Sequence, residues 1–121
     1  MNKKLKEKLD EYLIDSDHMV DEYYDEFGEF IISTESFTRL TTVLKEGLGI
    51  YNLIITEKLY QDDEDIQKLM GVIFEKSSKL EINEENAKKL NTRNAIDAWM
   101  DLQSYLLTLA VMILGSEEQD Q

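Results

Sequence analysis

The 121-residue sequence has no cysteine, no proline and only 5 glycines. Without cysteine, the protein has no disulfide bonds, thiolate zinc sites or cysteine nucleophiles. Proline and glycine form many of the tight turns in sheet proteins, and here they are scarce, whereas Leu, Glu, Lys and Ile recur at helical spacing. The composition therefore predicts an all-α protein, and the length fits a single domain.

Positive charge is also scarce. The sequence carries 26 acidic and 13 basic residues, which gives a formal net charge of −13. Phosphate backbones and anionic lipid surfaces repel such a molecule at long range, so we expect no direct binding to nucleic acid or membrane. Acidic residues interrupt the segment after the basic N-terminus, where a signal peptide would be apolar. We therefore expect a cytoplasmic protein.

The most apolar stretch of the sequence is residues 95–114. At 100° per residue its polar side chains gather into one narrow arc, and apolar side chains cover the remainder. The run at residues 105–114 is about half the roughly 20 residues that a membrane span needs. The pattern predicts a buried helix at the centre of a helical bundle.

Three further segments have helical periodicity. Residues 3–31 keep one apolar face throughout, which predicts a long N-terminal helix, with a break at residues 15–17 as the alternative. A second helix is expected over residues 35–60, where Gly47 and Gly49 indicate a kink, a close helix crossing or a hinge. The four acids within residues 61–65 fit the capped start of a third helix better than a calcium loop.

A fourth segment, residues 84–90, either joins the last helix or stands apart from it. We therefore predict a single-domain bundle of four or five mostly antiparallel helices over residues 1–115. Residues 116–121 contain no apolar side chain and are expected to form an acidic, frayed tail.

Residues 10–29 contain nine acidic residues and no lysine or arginine. Like charges at i,i+4 destabilise a helix, so a solvated helix face normally mixes both signs. On a helical projection most of these acids align along one edge of the apolar face, and such a row could match a basic groove that holds nucleic acid. A surface that only adds solubility is the alternative. The candidate partner-binding residues are Glu11, Asp15, Glu22, Asp25, Glu26 and Glu29.

Catalytic and metal chemistry have little support in the sequence. Its one histidine, His18, supplies neither the paired histidines of a di-iron bundle nor a Ser/His/Asp set with an inward-facing base. Residues 26–29 resemble the Glu-x-x-Glu half of the magnesium motif in helical-bundle nucleotide hydrolases of the MazG and dUTPase type. The next helix offers Glu35, Glu46 and Glu57, and none has the aspartate that the second half requires three residues later. We predict no catalytic residue, no metal and no cofactor.

These features predict a small acidic, non-enzymatic binding protein that inhibits a nucleic-acid-handling protein by mimicking nucleic acid. Its partner would be a protein with a basic surface. The composition is typical of phage and mobile-element proteins, among which anti-defence inhibitors are common. Three alternatives stay open: a toxin immunity protein or antitoxin, a structural homo-oligomer assembled through the first helix, and a magnesium-dependent nucleotide hydrolase of the helical-bundle type.

Overall fold

The computed structural model describes residues 2–17, 34–80 and 93–119. These residues form four helices: α1 (Lys3–Asp17), α2 (Thr34–Thr56), α3 (Glu64–Ser78) and α4 (Arg93–Gln119). No strand occurs within these three ranges. The predicted all-α bundle is confirmed.

Helix α4 lies at the centre of the bundle, since it packs against each of α1, α2 and α3. Its buried side chains lie between residues 99 and 113: Trp99, Leu102, Gln103, Leu106, Leu109, Ala110 and Ile113. In the described part, the segment Asp97–Glu117 is long and apolar enough to cross a membrane by length and composition alone. Its apolar side chains supply the middle of the core, which is the role that the sequence predicts for this helix.

Two helices end at positions other than those predicted. Helix α2 ends at Thr56 because Lys58 takes up a left-handed conformation, with φ of 54°. The amide of Lys58 bonds the carbonyl of Ile55, and that of Leu59 bonds the carbonyl of Ile54, which is a Schellman C-cap. Helix α4 continues through Gly115 to Gln119, beyond the predicted end at residue 114. The fraying of residues 116–121 stays a prediction.

Helix α3 begins as the sequence indicates. The Asp63 side chain accepts a hydrogen bond from the amide of Ile66 at 3.1 Å, and Glu64 and Asp65 occupy the first turn. Carboxylates at a helix N-terminus satisfy free amides and interact favourably with the helix dipole. Asp63, Glu64 and Asp65 therefore form a capped helix start.

The predicted N-terminal helix is described only over Lys3–Asp17, which is 15 residues. The helix is continuous through Asp15 and Ser16 as far as Asp17. The rest of the predicted helix, residues 18–31, and the predicted segment at residues 84–90 lie outside the described residues.

Gly47 lies where α2 closely approaches both α1 and α4. A Cβ atom added there would lie 2.8 Å from Leu106 Cδ1 on α4 and 3.1 Å from Tyr12 Cε2 on α1. No larger residue fits without movement of these neighbours. A Cβ on Gly49 would have Lys8 Nζ as its nearest neighbour, at 3.7 Å, which is ordinary contact. Of the three predicted roles, Gly47 has that of a close helix crossing.

Candidate functional site

Two of the six predicted partner-binding residues, Glu11 and Asp15, lie in the described part of the chain. Glu11 is exposed and Asp15 is half-buried, and both lie where α1 meets α2. Their carboxylates meet that of Glu46 on α2, so that one oxygen from each lies within 4.8 Å of the other two. We call these three residues the carboxylate cluster. The other predicted residues, Glu22, Asp25, Glu26 and Glu29, lie outside the described residues, and their placement stays a prediction.

The local sequence explains why the cluster forms. Glu11 and Asp15 are four residues apart on α1 and therefore share one face of that helix. Glu46 directly precedes Gly47, the residue that allows α1 and α2 to approach closely. A half-buried carboxylate on α2 is thereby brought against two carboxylates on α1.

The cluster favours the protonated form of Glu46. Burial raises the pKa of the Glu46 carboxyl group from its usual 4.5 to about 7, and the hydrogen bond with Asp15 and the charges of Asp15 and Glu11 act in the same direction. Glu46 Oε2 is buried and has no N–H or O–H donor among the described residues.

Two lysines border the carboxylate cluster. A surface pocket of about 240 Å³ is lined by Lys8, Glu11, Lys45, Glu46 and Gly49. Neither lysine forms an ion pair with a carboxylate in the described part of the chain. Their charges lessen the repulsion within the cluster, but they do not neutralise it by direct contact.

A buried polar network continues from α1 into the core. The Tyr12 hydroxyl donates to Gln103 Oε1 at 2.8 Å, and Gln103 Nε2 donates to Ser16 Oγ at 3.2 Å. Burial is the main cause of the raised pKa of Tyr12, and the charge of Glu46 raises this pKa further. The hydrogen bonds with Ser16 and Gln103 act in the opposite direction. Tyr12 is therefore a neutral donor, and the network joins α1 to α4.

The sequence interpretation missed the roles of Glu46 and Gln103. Glu46 was considered only as part of an incomplete magnesium motif, and its neighbour Gly47 was the available sign that α2 meets another helix there. Gln103 falls on the apolar side of α4, outside the polar arc formed by Asp97, Asp101 and Ser104. A lone amide on an apolar face indicates a buried hydrogen bond.

Carboxylate oxygens are suitable ligands for Mg²⁺ or Ca²⁺, and in the described residues Glu11, Asp15 and Glu46 form the group that could hold such an ion. Lys8 and Lys45 already supply positive charge at the same pocket. The predicted absence of metal and cofactor stays a prediction.

The chain matches no family model, no curated protein and no solved structure. The three carboxylates of this site produce a negative field at the α1–α2 contact.

Proposed function

We propose that this is a small acidic, non-enzymatic binding protein that inhibits a nucleic-acid-handling protein by occupying its basic surface. The supporting observation is that the acids of the second half of α1 are uncompensated. Asp10, Glu11, Asp15 and Asp17 form no ion pair with another described residue. Lysines do pair with acids elsewhere, as in Lys4–Glu57 at 3.9 Å and Lys76–Asp101 at 2.7 Å.

Unpaired acids on one helix cost stability, because like charges at i,i+4 repel each other. The same charges attract a basic surface and speed encounter with it. Acids four residues apart lie about 6 Å apart along a helix axis. Successive phosphates of one DNA strand lie about 3.4 Å apart along the duplex axis, so this spacing approximates every second phosphate. A groove that binds nucleic acid would therefore accept such a row of carboxylates.

The full predicted surface is the row from Glu11 and Asp15 through Glu22, Asp25, Glu26 and Glu29. The proposed partner is a cytoplasmic protein with a basic channel, and the proposed setting is anti-defence by a phage or mobile element. A role of this kind requires charge and shape, and it requires no catalytic group or cofactor. Its affinity should fall as salt rises, because exposed charges are screened.

The test uses two charge-reversed variants of equal net charge. The first changes Glu22, Glu26 and Glu29 to Lys, and the control changes Glu7, Asp62 and Glu75 to Lys; the control positions are exposed and lie outside residues 10–29. Each protein is immobilised and used to capture proteins from host lysate at low salt. Bound proteins are then challenged with duplex DNA and, separately, with high salt. Thermal unfolding confirms that all three proteins are folded.

We expect the parent and the control to retain a basic protein that DNA and salt release, and we expect the first variant to lose it. Three results would contradict the proposal. Retention that DNA does not reverse and that survives high salt would favour a toxin immunity protein. Capture of the chain itself alone would favour a homo-oligomer. Equal capture by both variants would show that the row makes no contact with the partner.

A further inference from the structure

Helix α4 has a second row of side chains besides the row that it buries in the core. Residues 102–116 form the longest stretch of the chain without a charged residue, and part of this stretch faces solvent. Leu107 is 37% exposed and Val111 is 58% exposed, although both are apolar. The second row follows intervals of four and three residues: Met100, Ser104, Leu107, Val111 and Leu114. We call these residues the outer seam.

The spacing of the outer seam is that of a helix-packing face. Alternating intervals of four and three residues form the a and d positions of a coiled coil, so a second helix can pack along them. At 100° per residue, the centre of the seam lies about 120° round α4 from Leu106, which faces the core. The seam spans about 21 Å, or about four turns, at 1.5 Å per residue. It is therefore a second contact face of useful length.

The polar side chains on this face are suited to a dry contact. The Ser104 hydroxyl donates to the carbonyl of Met100 at 3.1 Å, and the neighbouring Thr108 hydroxyl donates to the carbonyl of Ser104 at 2.8 Å. Each hydroxyl keeps its acceptor within α4 when water leaves, so covering the face leaves no hydroxyl donor unpaired. In a chain with a net charge of −13, an uncharged exposed face of this kind is typical of a surface that another protein covers.

Charged groups at the edge of the outer seam select the partner. Asp97 and Asp101 line a surface groove of about 420 Å³ together with three seam residues and Ser16 of α1. Lys76 pairs with Asp101, whereas the exposed Asp17, which follows Ser16, forms no ion pair with another described residue. A helix that carries Lys or Arg beside an apolar stripe meets charge of opposite sign at this edge.

A second copy of this chain fits the outer seam less well. Each copy carries a net charge of −13, so two copies repel each other at long range. An antiparallel pair of α4 helices centred on Leu107 would place Asp97 of one copy beside Glu117 of the other. A parallel pair would align each acid with its own copy. An anionic membrane would be repelled by the same net charge.

We propose that the outer seam binds an amphipathic helix of a partner protein, with an apolar stripe along one face and lysines or arginines beside it. The apolar side chains of that helix would pack against Leu107 and Val111. This inference adds an apolar contact surface to the acidic row of the proposed function. It holds whether or not the partner handles nucleic acid.

The probe that tests this proposal is a synthetic peptide of three heptads with Leu at every a and d position, Lys at e and g, and Ala elsewhere. The chain has no cysteine, so Val111→Cys supplies a single thiol within the seam. Ile55→Cys supplies the control thiol on α2, where the parent side chain is 52% exposed against 58% for Val111. The rate at which a thiol reagent modifies each cysteine reports whether that position is covered.

In the free chain we expect both cysteines to react at similar rates that do not depend on protein concentration. Calorimetry with the parent gives the Kd of the peptide. At a peptide concentration about ten times Kd, the cysteine of Val111→Cys should react about tenfold more slowly, and that of Ile55→Cys should be unaffected. A peptide of the same composition with its leucines scattered round the helix should protect neither. Circular dichroism confirms that both variants keep the parent's helical content.

Every other outcome would overturn the proposal. If the free monomer of Val111→Cys reacts more slowly than Ile55→Cys, the chain's own residues cover the seam. If that reaction slows as protein concentration rises, a second copy covers it. Protection by phosphatidylcholine vesicles but not by the peptide would indicate a membrane surface. Equal protection of both cysteines, or protection by the scattered peptide, would show attraction by charge alone, and an absence of peptide binding would show that no such helix docks.

Two double substitutions test the outer seam without a thiol. Leu107→Ser with Val111→Ser should weaken peptide binding by about tenfold or more, since both apolar contacts are lost. Ile55→Ser with Phe74→Ser removes exposed apolar side chains elsewhere and should leave binding unchanged. All of these side chains are exposed, so we expect both variants to fold. Equal weakening by the two variants would contradict the seam, and it would leave the acidic row untested because neither variant changes a charge.

Discussion

The α3–α4 contact and the α1–α2 contact differ in how charged side chains are arranged at their edges. Where α3 packs on α4, the interior is apolar and the border carries a pair of opposite sign, Lys76 Nζ to Asp101 Oδ2 at 2.7 Å. The same ammonium group lies 4.8 Å from the centre of the Tyr105 ring. Where α1 packs on α2, the interior is also apolar, but besides a Lys4–Glu57 pair at 3.9 Å the border carries the three acids of the carboxylate cluster.

This comparison separates the buried apolar contacts that stabilise the fold from the charged surface groups that are available to a partner. Leu5 and Leu9 of α1 and Ile66 and Ile73 of α3 are all completely buried, so burial of apolar area holds both helices. At the α3–α4 border, Lys76 and Asp101 neutralise each other within the chain. At the carboxylate cluster, Lys8 and Lys45 lessen the repulsion but form no ion pair with the three acids, and this is where we expect function.

The largest expected effect breaks the apolar interior of the α3–α4 contact. Ile73 is completely buried, and Ile73→Ala should lower the free energy of unfolding by about 2–5 kcal/mol, through lost apolar contact and a cavity. Urea unfolding measures this loss, which should be the same at pH 5.5 and pH 8 because no titrating group is involved. The control is Phe74→Ala, since Phe74 is the next residue but is 63% exposed, and it should cost much less. Equal losses would contradict the assigned faces of α3.

The second prediction concerns the crossing of α1, α2 and α4 and uses two glycines of one helix. Gly49→Ala should stabilise the protein by about 0.5–1 kcal/mol, because alanine favours the helix and its Cβ meets nothing closer than Lys8 Nζ at 3.7 Å. Gly47→Ala gains the same propensity but drives a Cβ against Leu106 and Tyr12, and overpacking costs about 1–3 kcal/mol. We expect a net loss of about 1 kcal/mol. Stabilisation by both substitutions in urea unfolding would show that the crossing has room for a methyl group.

Local patterns were sufficient to locate the four described helices. The apolar periodicity of residues 95–114 located α4 at the centre, and the acids before Ile66 located the start of α3, because burial and capping depend on neighbouring residues in the sequence. The end of α2 was less predictable. Its C-cap uses Lys58 in a conformation that usually favours glycine, so the sequence carries no stop signal there.

The candidate site could be predicted only in part. Glu11 and Asp15 were identified from the charge pattern of a single helix. Their meeting with Glu46 depends on how α1 and α2 are rotated and how closely they cross, and periodicity within one helix does not determine either quantity. The Gln103 network was missed for a similar reason, since its donor and acceptor lie on α1, 91 and 87 residues away in sequence.

The smallest expected effect tests the charge pair at the α3–α4 border. Lys76→Met keeps the apolar stem beside Tyr105 and removes the ammonium group, so it should cause the smallest loss in this series. A double-mutant cycle with Asp101→Asn isolates the coupling free energy of the pair. This energy should approach zero at about 1 M salt, where the Debye screening length falls to about 3 Å. The matched control is Lys79→Met. The pair of Lys79 with Glu75 at 3.7 Å is more exposed, and its coupling energy should be smaller.

Salt should have the opposite effect on the stability contributed by the carboxylate cluster, since screening there weakens a repulsion. A Lys76–Asp101 coupling that is unchanged by salt would mean that their direct hydrogen bond, rather than screened charge attraction, dominates the pairing, and this border would then not be held by charge.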